Sequence, residues 1–157
     1  MKILLITPLV ILALLAPLNA SADVDKGSDA YRAGDYATAL QEFKKAAEQG
    51  DARAQFNLGV MYANGRGVIQ DDKEAVKWFR LAAEQGVAEA QYNLGIMYDN
   101  GEGVIQDDKE AVKWWRLAAE QGNAKAQYNL GAVRRQTLWN HLTLSLSDTF
   151  LPVTSPV

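Results

Sequence analysis

Residues 52–87 and 88–123 are two nearly identical copies of a 36-residue sequence. The copies are identical at 29 of 36 aligned positions, and a third copy begins at residue 124 with AKAQYNLG. A repeat of this length is typical of solenoid proteins, in which each unit covers the apolar face of its neighbour. The chain is therefore predicted to form an array with an extended binding surface rather than a single catalytic pocket.

Each copy carries the signals of two helices. In the first copy, Ala54 and Leu58 recur at helical spacing, and the helix is predicted to end at Gly65, because glycine tolerates a positive φ. A second helix is predicted from Asp71, whose carboxylate can accept hydrogen bonds from free backbone amides, to Gly86. The second copy repeats these signals, so the same two helices are predicted there.

Small and large apolar residues alternate along both helices. Small residues allow antiparallel helices to approach closely, and large side chains fill the space between them. In the first copy the small residues are Ala54, Gly59, Ala75, Ala82 and Ala83. The large residues predicted to fill the core are Leu58, Tyr62, Trp78 and Leu81.

The repeated units resemble the Sel1-like repeat. The matching residues are AQFNLGVMYANGRGV and AVKWFRLAAEQG in the first copy, with their counterparts in the second. A shorter upstream unit, GDYATALQEFKKAAEQG preceded by Gly27, resembles the related tetratricopeptide repeat, which has a short turn between its helices. Gly59 to Gly86 spans 27 residues, whereas Gly27 to Gly50 spans 23, so the four extra residues are predicted in the loop between the helices.

The resemblance implies an all-α fold, an α-solenoid of antiparallel helix pairs stacked as a right-handed superhelix. The predicted divisions are a signal peptide (1–22), a repeat domain (23–131) and a divergent tail (132–157). Within the repeat domain the units are predicted at about 23–51, 52–87, 88–123 and, as a partial unit, 124–131. Removal of the signal peptide is expected to leave the first unit without a complete first helix.

The N-terminus has the features of a secretory signal peptide. Lys2 precedes an apolar run that ends at Leu15, and Ala20-Ser21-Ala22 forms an A-x-A cleavage site. The run is shorter than the ~20 residues of a membrane-spanning helix, which disfavours an uncleaved anchor. We therefore expect cleavage after Ala22, no membrane insertion of the mature chain, and export to the periplasm or the medium of a bacterium.

Cysteine content and charge exclude several classes of function. The chain has no cysteine, which excludes disulfides and lipid attachment through an N-terminal cysteine. Without Lys2 the mature chain has 15 basic and 19 acidic residues, a net charge of −4. That balance predicts no nucleic-acid partner and no adhesion to anionic lipid. No cofactor is predicted, and a monomer is expected.

After Gly131 the third copy departs from the repeat. The segments TLWNHLTLSLSDTF and LPVTSPV stand where the repeat would place its loop and second helix. Val133, Leu138 and Leu142 could extend the preceding helix, whereas the alternation of leucine with polar residues from Leu142 to Leu146 is equally typical of a strand. The proline-containing C-terminus is expected to be disordered. One interpretation is that a coding change truncated a longer array.

Three groups of residues could suggest catalysis, a metal site or a sugar site. His141 lies near Ser145, Ser147 and Asp148, but no nucleophile elbow or oxyanion loop accompanies them, so no catalytic residue is predicted. The acidic pairs at 71–72 and 107–108 lack the spacing of a calcium loop and are interpreted as helix caps. The tryptophans on the second helices are interpreted as core rather than as a sugar- or peptide-binding stripe, and they are Trp78, Trp114 and Trp115.

The seven differences between the copies indicate a binding surface. They are Arg53/Glu89, Phe56/Tyr92, Val60/Ile96, Ala63/Asp99, Arg66/Glu102, Phe79/Trp115 and Val87/Asn123. The first four are spaced three, four and three residues apart, which places them on one helical face. Apolar residues at this face favour binding over drift of an exposed surface.

In the tetratricopeptide arrays that the chain resembles, this face of the first helix lines a concave groove that holds peptides. Asparagines beside the face bind the ligand backbone in that fold. The resemblance therefore implies a groove for a protein or peptide partner, with the following contact residues: Arg53, Phe56, Asn57, Val60, Glu89, Tyr92, Asn93, Ile96, Asp99, Lys125, Tyr128 and Asn129.

The predicted function is a non-catalytic adaptor of the cell envelope or the secreted fraction. Two alternatives stay open. Some exported, cysteine-rich relatives are associated with binding or slow hydrolysis of β-lactams or cell-wall fragments, although this chain has none of their cysteines. The other alternative is a truncated array without a retained function.

Overall fold

The computed structural model describes residues 20–135, and this part of the chain is entirely helical apart from its loops. Six helices are α1 (Ala20–Arg32), α2 (Tyr36–Glu48), α3 (Ala52–Asn64), α4 (Asp72–Glu84), α5 (Ala88–Asn100) and α6 (Asp108–Glu120). A seventh helix, α7, runs from residue 124 to residue 135, where the described part ends. The prediction of an all-α solenoid is confirmed. The predicted signal peptide and most of the divergent tail lie outside the described residues.

Successive helices pack in pairs, α1 with α2, α3 with α4 and α5 with α6, and each pair packs on the next through α2–α3 and α4–α5. The loop between α1 and α2 covers residues 33–35, whereas the loop between α3 and α4 covers residues 65–71. The four extra residues of the longer unit therefore lie between its helices, as predicted. Helix α1 is 13 residues long, as is α2. Cleavage after Ala22 would remove the first three residues of α1.

The helix ends follow from local side-chain chemistry. The carboxylate of Asp71 accepts hydrogen bonds from the backbone N–H groups of Lys73 and Glu74 at 2.9 and 3.1 Å, and Asp107 caps α6 in the same way. Gly65 closes α3 in the left-handed region with φ of 64°, as predicted. Asp35 caps α2, and its hydrogen bonds with Thr38 hold the pKa of this exposed carboxyl below its usual value.

An aromatic ring of each second helix lies against a glycine of the preceding helix. A Cβ atom on Gly59 would lie 2.5 Å from the Phe79 ring, and one on Gly27 would lie 2.8 Å from the Phe43 ring. Trp115 covers Gly95 in the third pair in the same way. These close approaches explain why the repeat needs glycine within a helix, where it otherwise weakens the helix.

The predicted core is confirmed except at one position. The five predicted small residues and Leu58 are buried, and Trp78 is 9% exposed. Leu81 does not fill the core, since it and its counterpart Leu117 are both 38% exposed. Leu81 follows Phe79 by two residues, about 200° around the helix, so it lies outside the face that packs on Gly59 of α3. That prediction is therefore wrong.

A chain of glutamines connects successive units through hydrogen bonds. Buried Gln55 donates through Nε2 to the carbonyl of Ala47 at 3.2 Å, and its Oε1 accepts from Gln85 Nε2 at 2.7 Å. Gln91 repeats this arrangement with Ala83 and Gln121, at 3.1 and 2.8 Å. The bonds to the carbonyls of Ala47 and Ala83 tie the start of one unit to the end of the unit before it, whereas each glutamine pair joins the two helices of one unit. The buried amides of Gln55 and Gln91 are therefore both hydrogen-bonded.

Candidate binding groove

The predicted stripe of the first helices lines two adjoining clefts. The first, which we call the α3–α5 cleft, has a volume of about 450 Å³. It is lined by Val60, Ala63, Asn64, Gln70, Asp72, Phe79, Asn93, Ile96, Met97 and Glu102. Its floor is apolar and its rim carries two carboxylates and three amides, a combination that suits a side chain with an apolar stem and a polar end.

The second, the α5–α7 cleft, has a volume of about 430 Å³. It is lined by Phe56, Glu89, Tyr92, Asn93, Asn123, Ala124 and Lys125. Asn93 belongs to both clefts, so the two adjoin at this residue, and together we call them the groove.

Packing beneath the groove fixes the orientation of its aromatic side chains. The ring of Phe56 lies 5.9 Å from that of buried Phe79, centroid to centroid. The carbonyl of Tyr92 accepts a hydrogen bond from Trp115 Nε1 at 3.2 Å, and the Lys125 ammonium lies 5.9 Å from the centroid of the Tyr92 ring. Both aromatic residues of the stripe are half-buried and pack against the residues beneath them. Their side chains therefore lose less conformational entropy when a partner binds.

The asparagines beside the stripe have unused hydrogen-bonding capacity. Asn57, Asn93 and Asn129 are half-buried, and within residues 20–135 their side-chain amides make no hydrogen bond. Each amide can donate two hydrogen bonds and accept two, which matches the alternating N–H and C=O groups of an extended peptide.

Comparison with known families identifies the repeat. The Sel1 repeat profile matches residues 25–51, 52–87, 88–123 and 124–138, which is most of the chain. The chain belongs to the Sel1 repeat family. Sel1 repeat proteins generally mediate protein–protein interactions and are generally non-enzymatic scaffolds.

Solved structures of similar proteins share the Sel1 array. A Sel1 repeat protein from Oxalobacter formigenes superposes with a TM-score of 0.68 at 39% identity, over 70% of this chain and 45% of that one. A protective antigen of uropathogenic Escherichia coli that displays an SLR fold gives 0.69 at 43% identity, over 79% and 27%. Helicobacter pylori cysteine rich protein B gives 0.56 at 28% identity, over 59% and 69%.

Curated relatives match over a short part of their length. DAP3-binding cell death enhancer 1 of rat is 40% identical over 50 residues, and that of mouse is 38% identical. The matched segment is 32% of this Sel1 chain but only 10% of either relative. What these longer proteins do as wholes therefore does not transfer directly to this chain.

The structure brings together seven of the twelve predicted contact residues of the Sel1 groove. Those that line a cleft are Phe56, Val60, Glu89, Tyr92, Asn93, Ile96 and Lys125. The remaining five are Arg53, Asn57, Asp99, Tyr128 and Asn129. Arg53 is directed toward Asp25, with Nη1 and Oδ1 3.5 Å apart, and Tyr128 is 70% exposed beside Arg135. The role of all twelve as contact residues stays a prediction.

Sequence reasoning missed the polar rim of the α3–α5 cleft. Asn64, Gln70 and Glu102 come from loops or helix ends, and Asp72 comes from the first turn of α4. One signal was present, because Arg66/Glu102 is among the seven differences between the copies. Nothing in a helical-face argument indicates that a loop residue reaches the same cleft.

The other candidate residues serve the fold or lie outside it. Trp115 is 3% exposed, and Trp114 packs half-buried against the core, which confirms the structural interpretation of the tryptophans. His141 and its polar neighbours lie outside the described residues. No helix within residues 20–135 is long and apolar enough to cross a bilayer.

Proposed function

We propose that this Sel1 repeat protein is a non-catalytic adaptor that binds an extended segment of a partner protein along the groove. The observation that carries the proposal is the position of Asn93, which belongs to both clefts. Its half-buried amide makes no hydrogen bond within residues 20–135. Half-buried Phe56 and Tyr92 would supply apolar contact in the α5–α7 cleft, since aromatic side chains often dominate interface energies. The general role of the family in protein–protein interaction supports this function.

The partner can be identified by site-specific photocrosslinking in the native cell. Tyr92 is replaced by p-benzoylphenylalanine, and the crosslinked protein is identified by mass spectrometry. The matched control places the same group at Leu117, which is exposed on α6 outside both clefts. An adduct that forms at position 92 and not at position 117 supports groove binding, whereas equal adducts at the two positions contradict it.

The double substitution Tyr92→Ala, Asn93→Ala should weaken binding of the crosslinked partner by about tenfold or more. The substitution removes one aromatic contact and the hydrogen bonds of one amide, each worth about 1 kcal/mol or more at an interface. Binding is measured by calorimetry with the purified partner, and Leu117→Ala serves as the control. An unchanged dissociation constant in a variant with a native circular-dichroism spectrum would rule out the groove as the binding site.

We further propose that the adaptor acts after export, as the predicted signal peptide implies. The N-terminal pattern supports this location, because a basic residue, an apolar run and an A-x-A site occur in the expected order. The intact mass of protein recovered from its native host should correspond to a chain that begins at Asp23, and the protein should fractionate with the periplasm or the medium. A full-length mass in the cytoplasmic fraction would contradict export.

A further inference from the structure

The junction between the first two units holds a cation–aromatic cluster of exposed Arg66 with half-buried Tyr31 and Tyr36. The guanidinium of Arg66 donates a hydrogen bond to the Tyr31 hydroxyl at 2.6 Å and lies 5.4 Å from the centroid of that ring. The same guanidinium lies 5.9 Å from the centroid of the Tyr36 ring. Stacking of this kind favours a cation at the junction, and here the chain supplies the cation itself.

The next junction has different side chains at the aligned positions. Tyr31 lies four residues after Gly27, so its counterpart after Gly59 is Ala63. By the same alignment the counterpart of Tyr36 is Asp72, since Phe43 and Phe79 each follow by seven residues, and the counterpart of Arg66 is Glu102. One cation and two aromatic rings are thus replaced by one methyl group and two carboxylates.

The loop between α3 and α4 crosses the first junction at the place where the loop between α5 and α6 crosses the second. A Cβ atom on Gly67 would lie 2.9 Å from Tyr36, and a Cβ atom on Gly103, one repeat later, would overlap the backbone of Asp72. The substituted side chains therefore face the same space. Ala63, Asp72 and Glu102 all line the α3–α5 cleft.

The carboxylates of this cleft have spare acceptor capacity. Asp72 accepts one hydrogen bond from Gln70 Nε2 at 3.3 Å, and Glu102 accepts one from Asn100 Nδ2 at 3.1 Å. Neither forms an ion pair within residues 20–135. Asp71 already caps α4, so the carboxylate of Asp72 is not needed by the backbone there. The adjacent Lys73 lines a separate depression beside Gly103, not this cleft.

We infer that the α3–α5 cleft receives an arginine or lysine side chain of the bound segment, which takes the place that Arg66 occupies one unit earlier. The inference rests on the proposed function, because it names the chemistry of one subsite of the groove. The apolar floor of Val60, Phe79 and Ile96 suits the aliphatic stem, and the two carboxylates suit the charged end. Partners with an acidic residue at this place are disfavoured by like-charge repulsion.

The test uses blocked hexapeptides as probes of the purified, isotope-labelled full chain. The probe Ac-Ala-Ala-Leu-Arg-Ala-Ala-amide is compared with the same peptide carrying citrulline, which has the shape of arginine without its charge. Nuclear magnetic resonance follows the methyl groups of Val60 and Ile96 and the side-chain amide of Asn93. We expect the arginine peptide to shift these signals at low ionic strength and to bind about tenfold more tightly than the citrulline peptide.

Three variants test whether the carboxylates of the α3–α5 cleft cause the preference for arginine. Asp72→Asn combined with Glu102→Gln should remove the preference for arginine, whereas Asp108→Asn should keep it, because Asp108 opens α6 as Asp72 opens α4 but lies outside the cleft. The triple substitution Ala63→Tyr, Asp72→Tyr, Glu102→Arg rebuilds the first junction in the second and should abolish binding. The thermal midpoint of each variant is measured to verify folding, and raised salt should weaken arginine binding in the unmodified chain.

Equal binding of the arginine and citrulline peptides would overturn the inference while leaving groove binding intact. A shift of the Asn93 amide without shifts of the Val60 and Ile96 methyl groups would overturn it in the same way, because it would place the peptide in the α5–α7 cleft alone. Absence of shifts with every peptide would also overturn it, and the photocrosslinking at position 92 would then decide the proposed function separately.

Discussion

Replacing Phe79 with alanine should lower the free energy of unfolding by about 3–5 kcal/mol, a large fraction of the stability of an array of this size. Phe79 is 3% exposed, and its ring fills the space that Gly59 leaves open. The ring also belongs to the core cluster that α4 shares with α5. Its loss should therefore weaken both the pairing of α3 with α4 and the contact with the following unit.

Trp115→Ala should also remove core packing, but the loss of structure should be confined to one end of the array. Trp115 is 3% exposed and belongs to the last core cluster, with Ala111, Ala118 and Ala126. Stability in a solenoid is close to a sum of unit and neighbour terms, so damage near one end leaves the other end folded. Hydrogen exchange should show lost protection in α6 and α7 for Trp115→Ala, and in all helices for Phe79→Ala.

Leu81→Ala and Leu117→Ala provide matched controls on the same two helices. Each leucine lies two residues after the aromatic residue and is 38% exposed, so each substitution should cost less than about 1 kcal/mol. Free energies come from urea unfolding followed by circular dichroism. Equal losses of protection along the chain in Phe79→Ala and Trp115→Ala would contradict a core divided into successive clusters.

Local signals in the sequence account for most of the architecture. Asp71 at a helix start and Gly65 at a helix end act through bonds and dihedral angles within a few residues, so their outcome depends little on the rest of the chain. Repetition strengthens these signals, because each appears twice in the same register. The face of α3 and α5 that lines the groove was predictable for the same reason.

The parts that could not be predicted depend on contacts between units. Leu81 follows the apolar period of its helix, yet nothing in one helix reveals that its neighbour leaves that side uncovered. Gln55 is a polar residue whose buried hydrogen bond to Ala47 forms only when two units are placed together. The rim of the α3–α5 cleft combines residues 30 apart, such as Asp72 and Glu102, and a helical-face argument considers one segment at a time.

The differences between the copies acquire separate physical meanings in the structure. Phe79/Trp115 is a change in core packing, since the tryptophan gains a hydrogen bond to Tyr92, and Val87/Asn123 is a change in capping, since only Asn123 caps its helix with a side chain. Arg66/Glu102 alters a junction. The remaining differences lie on the first helices, so divergence is concentrated at the groove and at its rim.

Substituting Gly59 with alanine should destabilise the array by about 1–3 kcal/mol, although alanine favours a helix. The added methyl group would lie 2.5 Å from the ring of buried Phe79, which also lies 5.9 Å from the Phe56 ring, centroid to centroid. A planar ring in a filled core cannot move aside without displacing its neighbours. Urea unfolding of Gly59→Ala measures the loss directly.

Gly131→Ala is the matched control, because Gly131 has the same place in α7 that Gly59 has in α3. Among residues 20–135, a Cβ atom there would meet only the end of the Arg135 side chain, at 3.4 Å. The substitution should therefore be neutral or stabilise the protein by about 0.5–1 kcal/mol through higher helix propensity. A loss as large as that of Gly59→Ala would contradict the contrast between the two glycines.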